Sequence, residues 1–362
     1  METSCVDNML LRTGAEMLSH NDDSSKLFSP LALSIAFGTL NLGSRGDTEL
    51  QIRQKWFQCI AMDILSEYFE YKLRILNEEK SLCWATRLYV DKRASISPWC
   101  KQQINSVFLT EIEKLDFSDI ERVRHQVNNF VAFKTGKKIL ELYDEDSVSA
   151  WTKIMLATSL YFKGNFKMRF QDARKSTFYG YKAEREVDLM HLDDVKVPYF
   201  ETKEYQYVEI PMENNDYALF VILPIENSLF TIIDEIAAGQ IRWLNMKTKM
   251  KPCVCKIAIP KFEASSHFSL RTTLRNMGIK SIFYNADFKA MGEFEDPARL
   301  DTVMHKCVFT VNEVGIEADP DAEVEMPPEP MSSDDFKTVT ANRPFLYGVC
   351  FRNTPFLVGQ FL

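Results

Sequence analysis

The chain has 362 residues and a formal net charge of −8, with 46 % hydrophobic and 26 % charged residues. These proportions are typical of a globular protein with a full apolar core. The negative charge argues against a general binder of nucleic acid or anionic membranes, because such binding requires a basic face. The longest strongly apolar runs, such as residues 217–224, are too short to span a bilayer, so we expect no membrane span.

The first residues and the cysteines bear on the working compartment. Residues 1–10 include Glu2, Asp7 and Asn8 and lack a basic segment followed by an apolar one, so we expect no signal peptide. The eight cysteines are scattered along a large chain, which favours reduced thiols over a disulfide scaffold. Both features predict a cytoplasmic protein or one exported by a non-classical route.

Taken in chain order, the predicted elements begin with helices and continue with strands. Apolar residues at helical spacing predict helices over 6–18, 31–42, 48–57, 60–76, 99–109 and 120–134. One strand is predicted among them, over 84–90. Runs of β-forming residues then predict strands over 154–162, 187–200, 205–210, 217–223, 254–259, 344–351 and 355–361. A further helix is predicted over 269–277, where Gly278 ends it. This order suits one α+β domain over residues 1–362.

The stretch before the two closing strands carries the most functional information. Residues 316–326 alternate between apolar and acidic side chains, which is the pattern of a half-buried strand. Residues 327–335 are too rich in proline and polar groups for a sheet interior. The sequence therefore predicts a strand-forming segment that leads into an exposed, cleavable loop. An acidic edge strand followed by a solvent loop is the alternative that the pattern alone leaves open.

Several segments resemble motifs of the serpin family, in the same order. Residues 312–318, Asn-Glu-Val-Gly-Ile-Glu-Ala, resemble the serpin hinge, whose usual form is Asn-Glu-Glu-Gly-Thr-Glu-Ala. Other resemblances occur at residues 28–31, 160–166, 259–262, 274–279, 305–306, 342–346 and 356–359. They span nearly the whole chain. Without a predicted signal peptide, the chain resembles serpins of the intracellular, ovalbumin-like type. Its departures from the usual motifs suggest a divergent invertebrate or parasite member.

The resemblance implies a fold and a mechanism. The fold is α+β, with three β-sheets, about eight or nine helices and an exposed reactive-centre loop over about residues 313–342. The implied function is a serine protease inhibitor that acts as a suicide substrate: the protease cleaves the loop, which then inserts into the main sheet. Because the protease supplies the nucleophile, we expect no enzymatic activity and no catalytic residue. The histidines His20, His125, His191 and His267 show no metal-binding spacing, so we expect no metal site, and we expect no cofactor. We also expect a monomer.

The resemblance assigns hinge residues within the loop. They are Glu313, Gly315, Ile316, Glu317, Ala318, Pro320 and Ala322. The segment Asp319–Pro320–Asp321 departs from the small residues that are usual here, and Pro320 would lack a hydrogen-bond donor in a central strand. Such a lost bond costs about 1 kcal/mol. The alternative is therefore a non-inhibitory serpin that acts as a binding, carrier or chaperone protein.

Two counts place the reactive bond differently. Counting forward from the hinge by the family's spacing gives Glu329–Pro330, and counting backward from the closing segment gives Ser333–Asp334. Met331–Ser332 lies between them, and Pro-Met-Ser resembles the bait of antitrypsin-like serpins. We therefore predict cleavage at Met331–Ser332 by an elastase- or chymotrypsin-like protease. Lys337 would suit a trypsin-like enzyme but lies near the following strand.

The resemblance also implies a gating region that controls insertion. His305 matches the family's central gating histidine and Ser29 one of its hydroxyl partners, whereas Thr158 stands where asparagine is usual. We expect His305 to be buried, with local hydrogen bonds and no ligand. In residues 67–80, lysine and arginine alternate with glutamate, so we expect a mixed, solvated helix face and no clear heparin site.

Overall fold

The computed structural model describes residues 4–20, 24–226, 228–295, 298–319, 324 and 336–362, without the side chain of Phe268. Nine α-helices lie in this part of the chain: α1 Ser4–Ser19, α2 Pro30–Gly43, α3 Gly46–Gln51, α4 Met62–Glu78, α5 Pro98–Phe108, α6 Ile120–Lys134, α7 Leu229–Ala237, α8 Trp243–Lys249 and α9 Arg271–Asn276. A π-helical segment, Ile52–Trp56, continues α3, and a 3₁₀ turn spans Ser281–Phe283. None of these helices combines the length and hydrophobicity that crossing a membrane requires.

The strands of the described ranges form three sheets. In chain order they are β1 Lys26–Phe28, β2 Leu82–Asp91, β3 Ser95–Ile96, β4 Ile112–Leu115, β5 Ile154–Phe162, β6 Gly164–Asn165, β7 Gln171–Tyr179, β8 Glu184–Glu201, β9 Tyr205–Pro211, β10 Tyr217–Pro224, β11 Lys251–Pro260, β12 Phe262–Ser269, β13 Gly292–Glu293, β14 Leu300–Val311, β15 Gly315–Ile316, β16 Lys337–Thr340, β17 Phe345–Phe351 and β18 Thr354–Phe361.

The chain divides into two compact units. Unit 1 comprises Met1–Met9, Ser29–Tyr161 and Ser266–Cys307, and unit 2 comprises Leu10–Phe28, Phe162–Ser265 and Val308–Leu362. One domain over residues 1–362 stays a prediction.

Unit 1 combines a sheet with a buried helix. The strands follow the order β4-β2-β5-β14, and every residue of β5 is buried, as expected for a central strand. Helix α2 is buried on nearly all sides and begins at Pro30. Ser29 caps its amino end, because the Ser29 hydroxyl oxygen accepts a hydrogen bond from the Ala32 amide. Gly38 lets the Phe108 ring approach this helix, since a Cβ at Gly38 would lie 2.2 Å from the ring.

Unit 2 is built on the largest sheet. Its strand order is β1-β18-β17-β10-β9-β8-β11-β16, and β7 pairs with β8. Strand β16 pairs with β11 in parallel. An aromatic cluster lies in this unit, with neighbouring ring centroids 4.9 to 6.2 Å apart. Its members are Phe262, Phe309, Phe345, Tyr347 and Phe361.

Several predicted elements need correction. The predicted helix over 269–277 begins only at Arg271, because β12 continues to Ser269. The predicted helix over 48–57 is divided into α3 and a π-helical segment. Helices α7 and α8 were not predicted, nor were strands β1, β3, β4, β6, β7, β12, β13, β14 and β16. In β7 most side chains are exposed, so a strand in this position lacks the apolar alternation that identifies one.

A buried ion pair connects α8 to β9 in unit 2. The Nζ atom of Lys247 donates to both carboxylate oxygens of Glu209, at 2.6 and 2.8 Å, and Tyr207 also donates its hydroxyl to Glu209. The side chains of Lys247 and Glu209 are only 13 % and 7 % exposed. Removal of one partner from such a pair leaves an uncompensated charge in a poorly solvated site.

We therefore expect Lys247→Met to lower the free energy of unfolding by about 3 kcal/mol. The matched control is Lys175→Met, because Lys175 forms an ion pair with Asp188 at 3.0 Å while the two side chains remain 64 % and 46 % exposed. Urea denaturation of both variants measures the difference. Equal effects of the two substitutions would contradict the importance of the buried pair.

Candidate functional site: the hinge and the gating residues

The predicted hinge begins as a hairpin between β14 and the two-residue strand β15. Ile316 pairs with Val311 of β14 in antiparallel register. On the opposite side, Gly315 and Ile316 pair with Asn165 and Gly164 of β6, also antiparallel. Strand β15 thus has a neighbouring strand on both sides, although it is only two residues long.

The Asn312 side chain fixes the turn of this hairpin. Asn312 is 5 % exposed, and its Oδ1 atom accepts hydrogen bonds from the amides of Val314 and Gly315, at 2.9 and 3.0 Å. Its Nδ2 atom donates to the carbonyl oxygen of Ala318 at 2.9 Å. One buried amide therefore satisfies backbone groups both in the turn and beyond β15.

The next two residues suit the close packing of β15. A Cβ at position 315 would lie 2.2 Å from the carbonyl oxygen of Gly164, so the approach of β6 requires the glycine. Ile316 stands where the serpin hinge usually has threonine, and its side chain is fully buried. An apolar residue suits that environment.

Glu313 and Val314 attach the turn to neighbouring segments. The amides of Phe166 and Phe170 donate to the carbonyl oxygens of Val314 and Glu313, at 2.7 and 2.9 Å. The carboxylate of Glu313 lies 3.1 Å from Nζ of Lys261. Since the Lys261 side chain is 45 % exposed, this ion pair adds little to stability. The backbone contacts are therefore the main attachment of the turn.

In the resting form β15 ends at Ile316, so the described residues 317–319 of the predicted strand-forming segment 316–326 are not part of a strand. Glu317 follows with a φ of 49°, in the left-handed region, which turns the backbone out of the strand direction. Ala318 is buried and Asp319 is exposed, and neither belongs to a strand. Alternation of side chains indicates that a segment can form a strand, but one left-handed residue suffices to end it.

Much of the predicted bait lies outside the described residues. This applies to the hinge residues Pro320 and Ala322 and to the candidate reactive-bond residues Glu329, Met331, Ser332 and Ser333. Their assignments stay predictions.

Lys337 lies in a different setting, on strand β16. It pairs in parallel register with Cys255 of β11. Its Nζ atom lies 2.5 Å from a carboxylate oxygen of Glu201, and this contact lowers the pKa of Glu201. A peptide bond within a paired strand is a poor substrate for a protease, so this position does not favour Lys337 as the reactive residue.

His305 of β14 lies in unit 1 and is fully buried. Its Nε2 atom accepts a hydrogen bond from the amide of Ser29 at 3.0 Å, and Sγ of Cys307 lies 3.2 Å from the same nitrogen. The Ser29 hydroxyl accepts the hydrogen bond from Ala32 that caps α2. His305 thus connects β14 to the start of the buried helix.

The charge state of His305 follows from its burial. Burial lowers the pKa of His305 to about 3, and a smaller opposing effect comes from the backbone of Thr158 on β5. The imidazole is therefore neutral near pH 7, which allows Nε2 to accept the Ser29 amide. The hydroxyl of Thr158 lies 3.3 Å from that of Thr86 on β2.

Comparisons of the sequence with known proteins all find serpins. A family model described as Serpin (serine protease inhibitor) matches residues 8–362. Human antithrombin-III is 28 % identical over 93 % of this chain and 75 % of its own length, and human serpin B8 is 27 % identical over 84 % and 83 %. A serpin-like protein of Thermococcus kodakarensis is 26 % identical over 92 % and 79 %.

Solved structures share the fold. The native state of tengpin, a thermophilic serpin, has a TM-score of 0.87 at 21 % identity and covers 99 % of this chain and 94 % of its own. Serpin48 of the insect Tenebrio molitor has a TM-score of 0.83 at 22 % identity, with coverages of 99 % and 97 %. At these identities the likeness concerns the fold alone.

The buried histidine generates a prediction about pH. An unfolded histidine has a pKa near 6.5, so between pH 6.5 and 3 the unfolded chain binds a proton that folded His305 does not. The part of the folding stability that depends on a neutral His305 is therefore fully present above pH 6.5 and falls as the pH is lowered, by roughly 1 kcal/mol per pH unit.

The test compares the wild type with His305→Gln, whose amide oxygen can still accept a hydrogen bond. We expect the variant's free energy of unfolding to decrease less steeply between pH 7 and pH 5 in urea denaturation. Other titrating groups contribute equally to both proteins and cancel in the comparison. Parallel pH dependences would contradict a buried, neutral His305.

Proposed function

Because the chain belongs to the serpin family, we propose that it inhibits a serine protease as a monomeric suicide substrate, with residues 313–342 as the reactive-centre loop. Serpins are generally protease inhibitors, not catalytic enzymes. The predicted serpin fold is confirmed by the solved structures that share it, and the described residues contain its three sheets and nine α-helices.

The observation that carries the proposal is the double pairing of β15. A loop that becomes a central strand must form hydrogen bonds with a neighbour on each side, and Gly315 and Ile316 already have both. The alternation of residues 316–326 supports continuation of this strand. Extended in register, its apolar side chains would share the buried face of Ile316, and its acidic side chains would face outward.

The chemical step uses the protease's own nucleophile. Its serine oxygen attacks the carbonyl carbon of the reactive bond, the C–N bond breaks, and the new amino end departs with a proton. The loop is then attached to the protease as an ester and is free to enter the sheet. We propose that insertion displaces the protease before water can hydrolyse that ester.

Insertion also requires the sheet to open. Strands β5 and β14 are neighbours in unit 1, so a strand placed between them would replace their mutual hydrogen bonds. His305 lies on β14 and Thr158 lies on β5. Ser29 lies at the start of α2, and its amide donates a hydrogen bond to His305. We propose these three residues as the gating region that sets the energy of opening.

For the reactive bond we propose Met331–Ser332, and for the target an elastase- or chymotrypsin-like protease. The support is the resemblance of Pro-Met-Ser to the bait of antitrypsin-like serpins and its place between the two counts. A methionine before the cut offers an unbranched apolar side chain, which suits a hydrophobic specificity pocket.

For the working compartment we propose the cytoplasm or a site reached by non-classical export. Seven of the eight cysteines, at positions 59, 83, 100, 253, 255, 307 and 350, are free thiols, and four of these seven are buried. Disulfides form and persist in oxidising compartments, so a chain with this many free thiols suits a reducing one.

The second candidate function is a non-inhibitory binding, carrier or chaperone protein. The sequence Asp319–Pro320–Asp321 favours it, because a proline and two charges follow directly after the residue where β15 has already ended. Such a protein would be cut by a protease without trapping it.

Incubation with a panel of serine proteases separates the two functions. An inhibitor is expected to give an SDS-stable complex with at least one elastase- or chymotrypsin-like enzyme, because the ester is trapped. Ala318→Arg places a large charge on the inward face of the inserted strand and is expected to abolish the complex while cleavage continues.

The matched control is Asp319→Arg, since residue 319 would face outward after insertion and should tolerate the change. Cleavage of the wild-type loop without any SDS-stable complex across the panel would contradict inhibition and favour the second candidate.

Mass spectrometry of the peptide released from the complex tests the reactive bond. We expect a new amino terminus at Ser332. Met331→Lys should then redirect the inhibitor toward a trypsin-like protease, whose specificity pocket selects a basic side chain. A new terminus at Pro330 or Asp334 would show that one of the two counts is correct instead.

A further inference from the structure

The hinge contains one strained residue, placed where the strand of the loop stops. Glu317 has a φ of 49°, a conformation that is unfavourable for a residue with a Cβ. Its Oε1 atom is buried and has no hydrogen-bond partner among the described residues. Both features cost free energy in the resting form, and both would disappear if the backbone extended and the side chain turned to solvent.

One side-chain hydrogen bond opposes that extension. The Nδ2 atom of Asn312 donates to the carbonyl oxygen of Ala318, directly after the strained residue. The bond joins the residue before β15 to a residue after it. It holds the backbone at Ala318 in a position that does not continue strand β15. The amide of Glu317 already donates to the carbonyl of Thr310 at 2.8 Å, as it would in a longer β14–β15 ladder.

The strand register shows what insertion must break. Gly315 and Ile316 lie opposite Asn165 and Gly164, so in the same register Ala318 would lie opposite Phe162 at the end of β5. In the extended strand its carbonyl oxygen would accept from the Phe162 amide. The carbonyl oxygen of Ala318 cannot accept from both the Phe162 amide and the Asn312 side chain, because the two donors lie on opposite sides of the extended strand.

We propose that Asn312 and Glu317 form a latch that controls the rate at which the loop enters the sheet. The hydrogen bond from Asn312 to Ala318 keeps the latch closed, and the strain at Glu317 favours its opening. The proposal rests on the proposed inhibitory function and adds the residues that regulate it. Asn312 is a positioning residue, because it acts through the backbone of Ala318 and does not touch the protease.

The substitution Asn312→Asp separates the two roles of Asn312. A carboxylate oxygen can still accept from the amides of Val314 and Gly315, which preserves the turn. The donor to Ala318 is replaced by a second oxygen, which cannot form the bond and repels the carbonyl. We expect insertion to be roughly two- to tenfold faster, the factor that corresponds to one net hydrogen bond.

Glu317 provides a pair of variants with the opposite expected effect. Glu317→Gly removes the backbone strain and the buried oxygen, whereas Glu317→Ala removes only the buried oxygen. Both should stabilise the closed latch and slow insertion, and the glycine variant should be the slower by roughly a factor of five. The comparison of the two isolates the contribution of the backbone.

Two measurements follow the rate of insertion in the full chain. The first is the number of inhibitor molecules consumed per protease inactivated, which falls when insertion is faster relative to ester hydrolysis. The second is the rate at which uncleaved protein converts on warming to a form with a higher melting temperature. A role of Asn312 in folding alone would change the stability of the resting protein and leave the first quantity unchanged.

The outcomes distinguish the latch from the function itself. A faster Asn312→Asp variant with slower Glu317 variants supports the latch. Wild-type rates in all three variants would overturn it and leave inhibition intact. A wild-type protein that neither traps a protease nor inserts its loop would overturn both. If Asn312→Asp does not fold, the Glu317 pair decides, and a faster Glu317→Gly variant contradicts the proposal.

Discussion

The pairing of Gly315 and Ile316 with a strand on each side is the constraint from which the proposed mechanism follows. It fixes the point at which the loop leaves the sheet and the register that an inserted strand would continue. The close contact between position 315 and the carbonyl of Gly164 makes this register exacting, because only glycine fits. The turn residue Asn312 then connects the start of the strand to the point where it stops.

The proposed gating residues would apply a second, separate constraint, within unit 1. A neutral, buried His305 accepts the Ser29 amide, and an isolated charge in that position would be poorly solvated. The bond connects β14 to a helix with almost no exposed surface, so movement of the strand disturbs a packed core. In this account, hydrogen bonds at single residues control two steps: the opening of the sheet and the release of the loop.

The sequence predicted much of this protein because its apolar pattern is strong. The strand over 154–162 was placed with correct bounds, since every residue in it is buried. Strand β7 was not predicted, because its side chains are mostly exposed and show no apolar alternation. The left-handed turn at Glu317 was also missed, because glutamate gives no local signal for it and the sequence does not show the hydrogen bond from Asn312 to the carbonyl oxygen of Ala318 that follows the turn. The motif resemblance predicts a hinge at these residues but does not predict its conformation.

The central claim is that the cleaved loop becomes a strand of the sheet. The most direct test is the melting temperature of the protein before and after its loop is cut by a protease that it does not trap. Insertion would add a strand with hydrogen bonds on both sides, so we predict a rise of roughly 10 °C or more. An unchanged or lower melting temperature after complete cleavage within residues 327–335 would contradict the account.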